Sequence, residues 1–240
     1  STNYMPGDEN RYIYYGSIGK LLPCFVALGK ESHVGSAFNA FDPNLLIAEV
    51  TRRMSLNTDL CDVAQGEVTI PPISLKQADT KEGYTVQTAL TAFSYYNFFT
   101  HGMSPDVVLE KSRQVGVEAF DSVVSYLNQQ YEKYCALSGV PYTTLPWKTR
   151  VYTWKEFYAE AAAQHGQPFR DAIAAFAEKL QREQPAMDLR YFSLAVTEEV
   201  WKWYEDKSPA LVLFFGSVFS ARIEMTGKTA KERALLDAVE

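Results

Sequence analysis

The chain has 240 residues, 47% of them hydrophobic and 22% charged, with a formal net charge of −6. That is enough apolar sequence for a real core, while the acidic balance and the lack of a basic run argue against a nucleic-acid partner. No apolar run reaches the roughly 18 residues that a membrane span needs, and Cys24, Cys61 and Cys135 lie far apart without CxxC spacing, as expected of buried thiols in a reducing, cytoplasmic setting.

Gly16 to Leu28 reads as a strand, with Pro23 hinting at an edge or a bulge. Gly29 and Gly35 bracket a polar loop, Gly29-Lys30-Glu31-Ser32-His33-Val34-Gly35. Asp42-Pro43 opens a helix as N-cap and first helical residue, with Leu46, Val50 and Met54 on one face. Val68 to Ala78 is extended, and Tyr84 to Phe99 favours a strand through its Thr, Val, Tyr and Phe content. A short turn joins these two as a hairpin. Ser104-Pro105-Asp106 caps a long helix whose apolar stripe includes Phe120, Val124, Leu127, Tyr131 and Tyr134. Trp147 to Trp154 alternates as a strand. Residues 17–153 therefore run strand, helix, strand, strand, helix, strand, the ferredoxin-like βαββαβ order. Beyond it, Trp154 to Leu180 and Leu189 to Tyr204 are helical, Pro209 to Gly216 is a wholly apolar strand as in a sheet covered on both faces, and Thr229 to Glu240 is a helix with no stop signal, as if the chain were part of a longer protein. The fold class is α+β.

The chemistry is sparse. His33 sits in the Gly-bounded loop, and loops on rigid scaffolds are where function concentrates. On local sequence the plainer alternative is a histidine that only bonds the backbone. His101 and His165, each beside a glycine, read as surface turn residues. The Asp8-Glu9 pair reads as a solvated turn, and the aromatic run Phe93 to Phe99 as core or interface. No HExxH, HxD, GxSxG, P-loop or GxGxxG occurs.

Several motifs together carry a resemblance. Gly19-Lys20-Leu21-Leu22-Pro23, the loop from Gly29 to Gly35, Asp42-Pro43-Asn44-Leu45-Leu46, Pro72 to Gln77, Val86-Gln87-Thr88 and Pro209 to Phe215 are similar to arginine-utilisation proteins of the RocB type. These are a branch of the zinc metallopeptidases that include aminoacylase, carboxypeptidase G and succinyl-diaminopimelate desuccinylase. The resemblance implies a catalytic domain with two zinc ions, interrupted by a βαββαβ lid, or dimerisation, domain. It implies that residues 17–153 are the lid, and that residues 1–16 and 154–240 are part of the catalytic domain. In such enzymes a lid histidine in a Gly-x-x-x-His stretch reaches the partner subunit's site and steadies the oxyanion. Gly29 and His33 match that stretch, and Asn44 is the nearest match to a substrate-contacting asparagine. The family's HxD motif, glutamate pair and last histidine ligand have no counterpart in this chain, so zinc belongs to the parent enzyme and the chain alone is expected to be inactive.

Two readings follow. One is a fragment of a zinc-dependent amidohydrolase or peptidase acting on an amino-acid derivative or peptide, homodimeric through its lid. The other is a non-catalytic dimerisation or small-ligand-binding module.

Overall fold

Apolar runs of six residues without a polar break demand burial on both faces, and two such runs sit side by side in this molecule. The computed structural model describes residues 14, 16–64 and 66–238. The Asp8-Glu9 pair and most of the expected 1–16 segment lie outside the described residues. In chain order the strands and helices are β1 (Gly16–Ser17), β2 (Gly19–Leu21), β3 (Pro23–Leu28), α1 (Pro43–Met54), β4 (Val63–Ala64), β5 (Glu67–Val68), β6 (Ile73–Asp79), β7 (Thr91–Thr100), α2 (Pro105–Ser138), β8 (Val151–Thr153), α3 (Trp154–Glu183), α4 (Leu189–Lys202), β9 (Ala210–Phe215), β10 (Ile223–Glu224) and α5 (Ala230–Asp237). The fold class is α+β, as the sequence indicates.

The main sheet has β7 hydrogen-bonded to β6 on one side and to β2 and then β3 on the other, all antiparallel. Gly19 faces Thr100 and Leu28 faces Thr91 in one unbroken register. β2 and β3 are thus one strand in register, interrupted at Leu22 just before Pro23, which has no N–H to give. Pro23 lies inside the sheet rather than at its edge. A bulge between Ser74 and Lys76 shifts the register of β6.

The strands of the βαββαβ order are all present, but the sheet continues across residue 153. β9 lies between β3 and β8, antiparallel to β3 from Pro23↔Phe215 to Leu28↔Ala210 and parallel to β8 from Val151↔Leu211 to Thr153↔Leu213. The first and last strands of the βαββαβ series are therefore separated by a strand from the last third of the chain. The helices between β8 and β9, α3 and α4, cover the second face of the sheet.

Alternation along β3 then explains its composition. Phe25 and Ala27 join Leu46, Ile47, Val50, Phe120, Leu211 and Leu213 in the core under α1 and α2. Val26 and Leu28 join Phe157, Phe169, Val200, Trp201 and Val212 under α3 and α4. The aromatic segment of β7 is core: Phe93, Tyr96 and Phe98 are buried. The Tyr96 hydroxyl donates to Ser94 Oγ at 2.9 Å and lies 2.7 Å from Thr51 Oγ1, so a buried polar group links α1 to the sheet.

Some expected boundaries move. The expected strand from Tyr84 begins only at Thr91, because residues 84–90 bind the loop ahead of α1 instead. α3 is two helices joined at Gly166 (φ 63°, ψ −139°) with Pro168 just beyond. His165, at that joint, is half-buried, with Nε2 2.6 Å from the Trp203 carbonyl, and is no free surface residue.

Between α1 and α2, Glu49 accepts from Arg52 and Arg53, and Arg53 reaches Glu118. The Arg52 hydrogen bond is the main cause that holds the Glu49 carboxyl down at about 2. A depressed folded-state pKa contributes stability above the ordinary carboxylate range and loses it as pH falls through the folded value. Thermal unfolding of the wild-type chain should drop steeply from about pH 5 to about pH 2, and Glu49→Gln should flatten that drop. A second expectation comes from the inserted strand. Residues 17–153 expressed alone should give poorly dispersed NMR spectra, because β3 then has no partner on its β9 edge and one face of the sheet is bare.

Candidate functional site

β3 ends at Leu28, and the chain must then turn away beside the start of α1. A Cβ on Gly29 would lie 2.5 Å from the Phe41 carbonyl oxygen and 2.6 Å from Pro43 Cδ, so only glycine fits this close approach. The next residue closes the base of the loop: Lys30 N–H donates to Phe41 O and Phe41 N–H to Lys30 O, both at 3.0 Å. Asp42 caps α1 by accepting from Asn44 N–H at 2.9 Å. The irregular segment before β7 clamps the outer side. Gly29 N–H donates to Leu90 O, Thr88 N–H to Ser32 O and Val34 N–H to Val86 O, at 2.7 to 3.0 Å. Thr88 Oγ1 accepts from Ser32 N–H at 3.1 Å.

His33 stands on this clamped loop and is exposed. It begins a short 3₁₀ stretch, Val34–Asn39, and its Nδ1 accepts from Gly35 N–H at 3.0 Å. An accepting Nδ1 carries no proton, so the proton of the neutral ring is on Nε2, which is then a donor; the tautomer is assigned from this bond. A Cβ on Gly35 would sit 3.1 Å from that Nδ1. The spacing Gly-x-x-x-His-x-Gly thus has a physical reading at both glycines: the first lets the helix start pass, the second lets a backbone N–H reach the imidazole. The plainer reading of His33 is what the structure shows: its ring bonds the backbone, and that bond orients the ring.

Asn44 lies in the first turn of α1. Its Nδ2 donates to Asp79 Oδ2 at 2.9 Å, tying α1 to the end of β6, while its Oδ1 has no hydrogen-bond partner among the described residues. No hydrogen bond joins Asn44 to His33. They occupy opposite ends of the connection between β3 and α1.

Sequence reasoning missed two polar features. One is the clamp by Val86, Thr88 and Leu90, which the β-type composition disguised as strand. The other is Asp62, whose Oδ2 accepts from the backbone N–H groups of His101, Gly102 and Met103, each at 2.7 Å. Burial works against its charge, but the three donors prevail and hold its carboxyl below the usual range. His101 is no surface residue: its side chain is 7% exposed, with Nε2 3.8 Å from Glu67 Oε2. Cys24 is buried, and burial pushes its thiol up to about 12, so it is an inert core group. Among the described residues no group of three or more His, Cys, Asp or Glu is placed to hold a metal, and no helix is long and apolar enough to cross a membrane.

No family model matches the sequence. Protein RocB of Bacillus subtilis (strain 168) is 30% identical over 234 residues, 98% of this chain and 40% of RocB. The similarity to RocB runs along nearly the whole chain. The uncharacterized protein YqjN of the same organism is 31% identical over 212 residues, 88% of this chain and 38% of YqjN. The chain spans about two fifths of the length of these relatives.

The state of His33 is directly measurable. Long-range ¹H–¹⁵N spectra of the neutral ring should show the Nε2–H tautomer, and Gly35→Ala should shift the ring toward a mixture of tautomers while leaving the fold intact.

Proposed function

We propose that this chain is the lid, with a flank of the catalytic domain, of a RocB-type amidohydrolase or peptidase acting in the cytoplasm on an amino-acid derivative or peptide. The observation that supports the reading is the exposed His33 ring, whose Nδ1 is held by the Gly35 N–H so that in the neutral ring Nε2 carries the proton as a donor. In amide hydrolysis the carbonyl oxygen gains negative charge as the carbon becomes tetrahedral. A pre-oriented N–H aimed at that oxygen stabilises the charge without having to reorganise. Asn44, with its amide nitrogen bonded to Asp79, would offer Oδ1 to a donor on the substrate.

Zinc is the metal that the resemblance implies. The described residues do not fit it, since they bring no ligand group together, and no step through a metal follows from them. These residues supply orientation, hydrogen bonding and a surface for pairing.

A homodimer would let His33 serve a site on a second subunit. β6 offers a surface for it: among the described residues its one strand partner is β7, and Ile70, Ile73 and Leu75 nearby are exposed, although Ser55 and Leu56 bond the start of the strand. The same exposed apolar residues also favour the alternative, a dimerisation module without catalysis.

The deciding experiment uses the natural full-length protein that contains this chain, loaded with zinc and offered N-acyl amino acids and short peptides. His33→Ala should lower kcat by about 10²–10³ and leave the oligomeric state alone. Turnover unaffected by His33→Ala would overturn its role. A dimeric protein inert toward every such substrate would favour the non-catalytic module.

A further inference from the structure

A second concave feature lies beside the loop and belongs wholly to this chain. It is a polar cleft of about 430 Å³, with Lys30, Glu31 and Ser32 on one side and the extended segment Thr143 to Trp147 on the other. That volume lies in the range of small-molecule sites.

Both walls are built before any ligand arrives. The Lys30 backbone is bonded in both directions to Phe41. The opposite wall hangs on Asn128, whose Oδ1 accepts from Leu145 N–H at 2.8 Å and from the Tyr142 hydroxyl at 3.2 Å, while its Nδ2 donates to the Val124 carbonyl. Aromatic rings line the remainder: Phe38 packs on Tyr131 at 4.8 Å between centroids, and Trp147, 8% exposed, lies with its ring centre 5.4 Å from Lys30 Nζ. The Trp147 indole N–H is buried and has no acceptor among the described residues.

Among the described residues no opposite charge pairs with the charges bordering this cleft, and the Lys30 ammonium rests over the Trp147 ring. Neither the Lys30 ammonium nor the Glu31 carboxylate makes an ion pair or side-chain hydrogen bond among the described residues, and neither do Thr143 and Thr144. Elsewhere the molecule pairs its charges readily, as Glu49 with Arg52 and Arg150 with Asp206 show. A cation that no carboxylate neutralises and an anion without an ion pair, both lining a cleft that hydroxyls and aromatic rings also border, match a small zwitterion.

We propose that this cleft binds a free α-amino acid, with Lys30 taking the carboxylate, Glu31 the ammonium, and the Phe38, Tyr131 and Trp147 rings the side-chain carbons. This site does not depend on the hydrolase reading and needs no metal. Preformed walls favour affinity because little has to be ordered on binding.

Isothermal titration of the 240-residue chain with each standard L-amino acid tests it. At least one should bind saturably, with Kd on the order of 1 mM or tighter, and should shift the Trp147 indole N–H resonance, assigned with Trp147→Phe. The amide of the best binder, which lacks the carboxylate, and its deaminated acid, which lacks the ammonium, should each bind at least about tenfold more weakly. Lys30→Met, which keeps an apolar stem against Trp147, and Glu31→Gln should each weaken binding to a similar degree with circular dichroism unchanged. Absence of saturable binding by every amino acid overturns the proposal. So does equal binding of the amide or the acid, or binding indifferent to Lys30→Met.

Discussion

The structure depends on one strand being enclosed on all four sides. Pro23–Leu28 has β7 on one edge and β9 on the other, α1 and α2 under one face and α3 and α4 over the second. Every residue in it is buried. At roughly 25 cal/mol per Å² of apolar surface, such a strand is a main source of the free energy that fixes the fold. It also leaves the chain no room for a gradual exit: at Gly29 the backbone passes so close to Phe41 and Pro43 that a side chain is excluded. The loop bearing His33 is therefore anchored to a strand that is buried along its whole length.

The elements with strong local signals were legible in the sequence. Asp42-Pro43 and Ser104-Pro105 mark helix starts, and their side chains do cap α1 and α2. The unbroken apolar run of β9 announces burial on both faces, whereas Pro23 suggested an edge or a bulge for β3, which in fact lies between β7 and β9. What the sequence concealed is long-range. Nothing local to Ala210–Phe215 says that it enters the sheet between the first strand and Val151–Thr153, since that placement is decided by which edges remain unpaired after α3 and α4 fold over. Residues 84–90 carry β-favouring side chains, yet strand propensity reflects fit to a half-buried surface, and here the available partner is a loop.

The candidate site was legible in part, for the same reason. The spacing of Gly29, His33 and Gly35 is local and can be read directly. The orientation of the imidazole, the commitment of the Asn44 amide to Asp79 and the anchoring of residues 101–103 by Asp62 all join positions more than thirty residues apart or turn on backbone geometry. Likewise the cleft beside Lys30 takes its second wall from Thr143 to Trp147, on the far side of α1, the hairpin and α2.

The place of β9 in the sheet has a consequence for how the molecule is made. Synthesis delivers β3, α1, β6, β7 and α2 well before residue 210 emerges, so a folding nascent chain holds β3 with one backbone edge unsatisfied until the last third arrives. An apolar edge strand waiting for its partner is a template for pairing with another chain. The late, non-local closure between β3 and β9 also raises contact order and slows the final step. Conditions that slow elongation between Leu28 and Ala210 would lengthen the exposure of the strand on which everything else rests.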